Sequence, residues 1–235
     1  MKITALIVAG GSGKRMNRKK PKQFLELANK PILAHTVEVF ESSGLISEII
    51  LVVPRQSLAY CRKKIIDKYG YRKVTKLVPG GKQRQDSVWR GLREIGDNCR
   101  AVVIHDGVRP LVTKKMVDES IRAVRKYKAV IFALPAKETV KRIDKNNFVT
   151  ATLRREELVL VQTPQVFELD LIKKAYKEAF KSKFYGTDDA MLVERLGKTV
   201  KVLPGGKENI KITTAQDLVL AEAIMAARNK NKLRC

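Results

Sequence analysis

Short apolar runs rich in Val, Ile and Leu recur along the chain and alternate with longer stretches of helical periodicity. Runs without polar residues at alternate positions are typical of strands buried on both faces of a sheet. They lie at residues 3–9, 49–53, 74–78, 101–104, 129–134, 158–162 and 199–203. The predicted helices cover residues 31–40, 56–68, 84–92, 114–126 and 169–180, a segment after 187, and 213–227. This alternation predicts an α/β fold: a Rossmann-like, doubly wound, mostly parallel sheet with right-handed crossovers.

The pattern changes between residues 137 and 157. Residues 139–143 and 148–152 alternate between apolar and polar side chains, and the polar turn 144–147 separates them. Such alternation predicts a β-hairpin whose two strands are each half exposed. A hairpin that projects from a wound sheet suits a dimerisation arm, and an ordinary surface excursion fits the pattern equally well.

Two helix starts are predicted from capping residues. Thr187 is expected to cap a helix whose first turn holds the two following aspartates, where negative charge favours the helix dipole. Thr213 and Gln216 form a predicted capping box at the start of the last helix. Residues 228–235 are polar, and we expect them to form a frayed tail.

The chain carries a large positive charge, with 48 Lys and Arg against 24 Asp and Glu and a net charge of +24. Such a charge attracts anionic ligands and is compatible with nucleic-acid binding. The cations are scattered, however, and aromatic residues make up only 6% of the chain, with no interleaving of aromatic and basic residues to stack bases. Nucleic acid is therefore the less favoured partner.

Cysteine usage and hydropathy indicate a cytoplasmic protein. Cys61, Cys99 and Cys235 are far apart, and so sparse and odd a set is typical of free thiols in a reducing compartment. No apolar run reaches the ~18 residues that a membrane span needs. We also expect no signal peptide, because the first predicted strand begins close to the N-terminus without a cleavage pattern.

A glycine-rich segment, residues 10–13, directly follows the first strand and leads into the cations Lys14, Arg15 and Lys22. Glycines allow a bound group to approach the backbone closely, and consecutive backbone N–H groups form an anion-binding hollow. A strand followed by such a loop and by cations is typical of polyphosphate binding. Met16 excludes both a Walker P-loop and the third glycine of the dinucleotide fingerprint.

Two further candidates follow predicted strands, at the edge where ligands bind in open parallel sheets. Gly80 and Gly81 follow the third strand, and Asp106 follows the fourth. The Asp106 carboxylate suits a metal ligand or an acceptor for a ribose hydroxyl, and a helix-capping role is the structural alternative. Arg109 offers a forked cation suited to a second phosphate.

Taken in order, these motifs resemble the 2-C-methyl-D-erythritol 4-phosphate cytidylyltransferase family. The resemblance covers almost the whole chain, and its motifs are jointly specific although each alone is weak. The matching positions are 9–16, 21–25, 80–81, 84, 86–88, 105–110, 139, 155, 163–165, 187–189 and 209–213.

The resemblance implies where two substrates, CTP and a polyol phosphate, bind. The residues implied for the nucleotide are Ala9, Gly10, Gly11, Ser12, Gly13, Gly80, Gly81, Ser87, Asp106 and Gly107. The residues implied for the polyol phosphate are Arg109, Thr139, Arg155, Thr163, Thr187 and Lys211. Of these, Arg155 is expected to reach the site of a partner subunit, in a homodimer joined by the arm 137–157.

The implied reaction is attack by a phosphate oxygen of the polyol on the α-phosphorus of CTP, with pyrophosphate leaving. Because both reactants are polyanions, positioning and charge stabilisation are expected to supply the catalysis. Arg15, Lys22 and Lys211 are the cations expected in this role. Mg²⁺ is the expected cofactor, with Asp106 as its protein ligand. Residues 1–227 are then expected to form a single nucleotidyltransferase domain.

Two positions depart from the family pattern. Lys82 stands where the family often has an acidic residue, and Gly107-Val108 replaces the commoner pair of alanines. Ribitol-5-phosphate cytidylyltransferases share much of the pattern and can carry the same valine, so ribitol 5-phosphate stays the alternative acceptor. A basic nucleic-acid-binding protein stays the alternative of another class.

Overall fold

The computed structural model describes residues 2–11 and 21–232. Within these residues, seven strands form one sheet in the order β11-β7-β10-β6-β1-β4-β5, and two pairs of short strands form hairpins. The strands are β1 (Lys2–Val8), β2 (Glu26–Leu27), β3 (Lys30–Pro31), β4 (Glu48–Val53), β5 (Val74–Pro79), β6 (Cys99–Asp106), β7 (Ala129–Pro135), β8 (Lys141–Ile143), β9 (Val149–Thr152), β10 (Val159–Glu168) and β11 (Lys201–Pro204).

Helices connect the strands of the large sheet. They are α1 (Ile32–Ser42), α2 (Leu58–Cys61), α3 (Arg84–Arg93), α4 (Lys114–Tyr127), α5 (Leu169–Lys181), α6 (Ala190–Arg195) and α7 (Ala215–Lys232). A π-helical segment, Arg62–Asp67, continues α2, and short 3₁₀ segments lie at Lys22–Phe24, Arg55–Ser57 and Arg155–Glu157.

The large sheet is mostly parallel and is covered on both faces, which confirms the predicted fold class. Strand β10 runs antiparallel to β6 and β7, whereas the other adjacent pairs are parallel. Successive residues of β1 serve opposite faces: Ile7 belongs to a core cluster with Phe40 of α1, and Leu6 to one with Leu92 of α3. Burial on both faces explains why this strand has no polar alternation.

The strand predicted at residues 158–162 is longer in the structure and runs over Val159–Glu168. Proline lacks a backbone N–H, so Pro164 favours a strand end when the sequence is considered alone. The pairing of β10 with β7 is irregular between Gln162 and Gln165, and pairing resumes at Gln165. This irregularity accommodates the proline within the sheet.

The predicted cap at Thr187 is wrong. Helix α6 begins at Ala190, and the carboxylate of Asp188 accepts a hydrogen bond from the backbone N–H of Met191 at 3.0 Å. A charged carboxylate is a stronger acceptor than a threonine hydroxyl. The neighbouring Asp189 is fully buried and serves an ion pair instead.

The last helix also differs from its prediction. Its capping box joins Thr214 to Asp217 rather than Thr213 to Gln216, since Asp217 accepts from the Thr214 backbone at 2.8 Å and donates its own N–H to the Thr214 hydroxyl at 3.2 Å. The helix continues to Lys232. The expected frayed tail is therefore wrong over residues 228–232, where Arg228 pairs with Glu208 at 2.6 Å.

The predicted hairpin is present as β8 and β9. The sequence predicts that each strand is half exposed, but the hairpin is more exposed than that in the single chain. Ile143 and Val149 in its strands are 53% and 61% exposed, and Phe148, directly before β9, is 70% exposed. None of the helices in the described part of the chain is long and apolar enough to cross a membrane.

Candidate active site

Two loops at the carboxyl edge of the sheet pack closely against each other. A Cβ on Gly80 would lie 3.1 Å from the Cα of Gly10, and one on Gly10 would lie 3.1 Å from Oγ of Ser87, so a side chain at either glycine would crowd its neighbour. The Ser87 hydroxyl donates to the Gln83 carbonyl and accepts from the backbone N–H of Gly81, both at 3.0 Å. The two loops therefore meet backbone to backbone, beside a fixed hydroxyl.

Gln23 holds the glycine-rich loop in place from beneath. Its side chain is buried and donates to the carbonyl oxygens of Ala9 at 2.7 Å and Gly11 at 3.2 Å. The preceding Lys22 lines the cavity above the loop. The sequence identifies this Pro-Lys-Gln segment only as part of a motif. The structure shows in addition that the glutamine anchors the loop.

Asp106 lies at the end of β6, among three cations. Its Oδ2 is 2.8 Å from Nζ of Lys211 and 3.8 Å from Nε of Arg109, and its Oδ1 is 3.1 Å from Nε of Arg84. Burial by itself raises the pKa of this carboxyl, but the neighbouring cations outweigh burial and hold the pKa well below its usual range. Asp106 is therefore an anion near neutral pH.

Arg84 links Asp106 to a second carboxylate. Its guanidinium binds Asp189 in bidentate fashion, with N–O distances of 3.0 and 2.8 Å. Burial lowers the pKa of Arg84, but the two aspartates raise it well above its ordinary value, so the side chain stays cationic. The sequence resemblance includes Arg84 without a role, and the local pattern around Asp189 favours a helix start.

Arg109 and His105 shape the turn that follows β6. Arg109 is largely buried, with its side chain 12% exposed, and it donates to the backbone carbonyl of Asn209 at 2.7 Å. His105 is buried, with Nε2 3.2 Å from the carbonyl oxygen of Arg109. Burial lowers the pKa of His105 to about 3, so its imidazole is neutral at physiological pH. His105 thus supports the Arg109 turn as a neutral hydrogen-bonding group.

Thr163 and Asn209 tie β10 to this turn. The Thr163 hydroxyl accepts from the backbone N–H of Asp106 at 3.1 Å, and the Asn209 amide donates to the Thr163 carbonyl at 2.8 Å. Because Asn209 precedes Lys211 by two residues, these bonds help to place the lysine beside Asp106. In the sequence, Asn209 is indicated only by its place in the 209–213 motif of the family resemblance.

Two adjoining cavities open over these groups. The first, of about 420 Å³, lies over the glycine-rich loop and Lys22, and the second, of about 470 Å³, lies over Arg109 and Thr163. Both are lined by the same three residues, which are Arg84, Asp106 and Lys211. The site therefore has two compartments that share one charged wall.

The structure gathers most of the sequence-predicted residues here. Those that line the first cavity are Ala9, Gly10, Gly11, Lys22, Gly81, Ser87, Asp106 and Lys211. Those that line the second are Asp106, Arg109, Thr163, Thr187 and Lys211. Lys82, which departs from the family pattern, also lines the first cavity.

The remaining predicted residues lie elsewhere. Gly80 and Gly107 lie against the loop after β1, and a Cβ on Gly107 would be 2.8 Å from that of Ala9. Thr139 and Arg155 are exposed on or beside the hairpin and line neither cavity of their own chain. The predicted residues outside the described part of the chain are Ser12, Gly13 and Arg15.

Comparison with known proteins agrees with the sequence resemblance. The family model described as "IspD: 2-C-methyl-D-erythritol 4-phosphate cytidylyltransferase" matches residues 3–227. A protein of that name from Alkaliphilus metalliredigens is 48% identical over 97% of this chain and 94% of its own length. Another, from Caldanaerobacter subterraneus, is 44% identical over 96% of this chain and 99% of its own.

The solved structures agree at the level of the fold. The crystal structure of 4-diphosphocytidyl-2C-methyl-D-erythritol synthase from Anaerococcus prevotii matches with a TM-score of 0.85 and 35% identity, covering 96% of this chain and 98% of that chain. The Thermus thermophilus cytidylyltransferase matches with a TM-score of 0.77 and 29% identity, covering 95% and 98%.

Replacing Asp106 with Asn is expected to destabilise the protein near pH 7, because three cations lose their shared anion. We expect the free energy of unfolding to fall by ~3 kcal/mol, the low end for a broken buried pair, since Arg84 and Lys211 are partly exposed. The pKa of Asp106 is lowered by folding, so its contribution is present above the unfolded value of about 4 and declines below it. Urea denaturation near pH 7 and at about pH 3 should show a smaller difference at the acidic pH.

The control for this prediction is Glu157→Gln, which breaks the exposed pair with Arg154 (2.9 Å). An exposed pair contributes no more than about 1 kcal/mol, so this variant should resemble the wild type at either pH. An Asp106→Asn variant as stable as the wild type near pH 7 would show that the charged wall is not held by this carboxylate.

Proposed function

The chain belongs to the 2-C-methyl-D-erythritol 4-phosphate cytidylyltransferase family, and we propose that its two cavities hold the two substrates side by side. The protein is a nucleotidyltransferase that joins CTP and 2-C-methyl-D-erythritol 4-phosphate in isoprenoid precursor synthesis, with pyrophosphate as the second product. The comparisons favour neither ribitol 5-phosphate nor a nucleic acid as the alternative.

The observation that carries the proposed arrangement is the wall shared by the two cavities. The product joins a nucleotide to a polyol through a diphosphate, so the acceptor phosphate must reach the α-phosphorus of CTP. Arg84, Asp106 and Lys211 line both cavities, and they mark the place where the two substrates can meet. The product would then span both cavities, with its cytidine part in one, its polyol in the other and its diphosphate at the shared wall.

We assign CTP to the first cavity. The backbone of Gly10, Gly11 and Gly81 lines this cavity without side chains and leaves room for a base, and Ser87 offers a fixed hydroxyl there. The ribose is expected to bind Asp106, whose oxygens retain lone pairs for hydroxyl donors beyond their ion pairs. The triphosphate is expected along the glycine-rich loop and Lys22, where backbone N–H groups and a cation favour anions.

The polyol phosphate is assigned to the second cavity. Arg109 is a largely buried cation there, and Thr163 and Thr187 supply hydroxyl groups. Burial and the nearby Arg84 cation outweigh Asp106 and lower the pKa of Arg109 from its ordinary value, but an arginine remains charged at physiological pH. A largely buried guanidinium beside hydroxyl groups suits a phosphate ester of a polyhydroxy compound.

The chemical step requires charge stabilisation more than proton transfer. A phosphate monoester has a second pKa of about 6, so its attacking oxygen is already deprotonated near pH 7 and needs no general base. Attack places negative charge on the α-phosphoryl group and on the departing pyrophosphate. Lys211, at the junction of the cavities, and Lys22, over the glycine-rich loop, are the described cations proposed to stabilise that charge. Arg15, which lies outside the described residues, keeps its predicted role as a catalytic cation.

We propose that Mg²⁺ binds with the triphosphate and that Asp106 is its protein ligand. Mg²⁺ in such sites is commonly held by one or two carboxylates and substrate phosphates, and Asp106 is an anionic carboxylate on the wall of the first cavity. Bound there, the ion would neutralise part of the triphosphate charge. Lys211 and Arg84 contact the two oxygens of Asp106 at 2.8 and 3.1 Å, so an ion held by this carboxylate would compete with these two cations.

We propose that the hairpin β8–β9 joins two subunits. Monomeric proteins rarely expose contiguous large apolar surfaces, and the hairpin exposes Phe148, Val149 and Ile143. Thr139 and Arg155 line neither cavity of their own chain, so an interlocked partner gives them a site to reach. The proposed homodimer thus completes the second cavity with side chains from its partner.

The cytoplasm is the proposed compartment of this reaction. Cys61 and Cys99 are buried free thiols, separated along the chain and not joined in a disulfide. Free thiols are typical of reducing compartments.

Replacing Lys211 with Ala is expected to lower kcat by ~10²–10³, because the cation at the junction no longer stabilises charge in the transition state. Release of pyrophosphate should be measured with CTP and Mg²⁺, offering 2-C-methyl-D-erythritol 4-phosphate and ribitol 5-phosphate in parallel. The wild type should respond to the former. Lys207→Ala, at a lysine that lines neither cavity, is the matched control and should behave as the wild type. Equal kcat in the wild type and Lys211→Ala would contradict the proposed role.

Mixed dimers can test whether Arg155 acts in the partner's site. Lys211→Ala and Arg155→Ala subunits are each expected to be inactive alone. If Arg155 acts across the dimer, each mixed dimer has one intact site, and an equal mixture refolded together should regain about one quarter of wild-type activity. Recovery is measured as pyrophosphate release after co-refolding, with the separately refolded variants as controls. No recovery in confirmed mixed dimers would assign Arg155 to the site of its own chain, and an Arg155→Ala variant that is fully active alone would assign it to no site.

A further inference from the structure

Asp189 is a buried carboxylate that lines neither cavity and yet is fixed from several directions. Its side chain is fully buried and binds the guanidinium of Arg84 through both oxygens. The hydroxyl of Tyr176 donates to Oδ1. The side-chain oxygen of Gln165 accepts from the backbone N–H groups of Asp189 and Ala190, at 3.1 and 3.2 Å.

Arg84 connects Asp189 to Asp106 in the charged wall. A guanidinium carries its N–H groups in a rigid planar fork. Two carboxylates hold the fork at different edges: Asp189 binds the terminal nitrogens, and Asp106 binds Nε at 3.1 Å. Because the fork is rigid, the position of Asp189 sets where Nε, and with it the Asp106 carboxylate, can lie.

We propose that Asp189 is a positioning residue, which acts through Arg84 to fix Asp106 at the boundary between the two substrate cavities. This inference rests on the proposed function, since it assumes that the substrates meet at that boundary. The charge of Asp189 favours a role in orientation over a role in attracting substrate. This carboxylate adds a negative charge beside Arg84, so it weakens the field on anionic substrates while it orients the arginine.

If Asp189 positions Arg84, its replacement should change kcat and KM in different ways. Without the Asp189 charge, the wall becomes more positive, so the KM values for both anionic substrates should not rise. The guanidinium loses the anchor of its terminal nitrogens, and a displacement of about 1 Å at a reacting centre can cost about 10²-fold in rate. Loss of positioning therefore lowers kcat while KM stays level or falls.

The test uses Asp189→Asn in the full-length protein, with pyrophosphate release expressed per CTP-binding site counted by calorimetry. We expect kcat per site to fall about 10- to 100-fold, with both KM values no higher than in the wild type. Tyr176→Phe removes only the hydroxyl donor and should lower kcat in the same direction by a smaller factor. If Asp189→Asn does not fold, Tyr176→Phe decides the question alone.

Asp118→Asn is the matched control for the loss of a buried carboxylate. Asp118 pairs with Lys114 at 3.0 Å and accepts from the Ser43 hydroxyl, and it lines neither cavity. It should lower the melting temperature and leave kcat per site unchanged. The same pattern in Asp189→Asn or, where that variant does not fold, in Tyr176→Phe would reduce Asp189 to a structural residue and overturn the proposal.

A crystal structure of Asp189→Asn separates this proposal from the proposed function. Positioning predicts that Arg84 Nε no longer lies near its 3.1 Å distance from Asp106 Oδ1. An unchanged Arg84–Asp106 contact would overturn the inference whatever the enzyme's activity. An inactive wild type would count against the proposed function, and this structural result would still decide the role of Asp189.

Discussion

The arrangement of the site depends on one carboxylate, Asp106, held between Arg84 and Lys211 at the end of the central strand β6. Arg84, Arg109 and Lys211 lie around this carboxylate, and these three cations would repel one another without a fixed anion. Asp106 supplies that anion in both compartments at once. Because its pKa is held low by the same cations that it assembles, the group stays charged over the physiological range.

The sheet explains why this constellation forms from distant segments. Parallel strands β1, β4, β5 and β6 end at the same edge, so the loops that follow them converge. The antiparallel strand β10 then brings Thr163 to the backbone of Asp106, and Asn209 connects this strand to the segment that carries Lys211. The two adjoining cavities therefore lie along one edge of the sheet.

Local sequence predicts the fold and the glycine-rich loops after β1 and β5 well. Buried parallel strands have a continuous apolar pattern, and glycine-rich segments between a strand and a helix favour few structures other than a loop. Local sequence predicts Asp189 poorly. An aspartate after a threonine favours a helix start, whereas its actual partner Arg84 is 105 residues away in the chain. The cap at Asp217 differs from its prediction for a related reason: a carboxylate one residue further along competes better for the same N–H groups. The hairpin is more exposed in the single chain than its alternating pattern predicts, and the proposed partner subunit would cover part of it.

The two cavities are proposed to hold CTP and the polyol phosphate on either side of one charged wall. The most direct test is a crystal structure of the protein with its product, 4-diphosphocytidyl-2-C-methyl-D-erythritol. We expect the cytosine beside Gly81 and Ser87, the polyol beside Thr163, and the diphosphate at Lys211. A product lying wholly within one cavity, or with its cytosine beside Thr163, would contradict this arrangement.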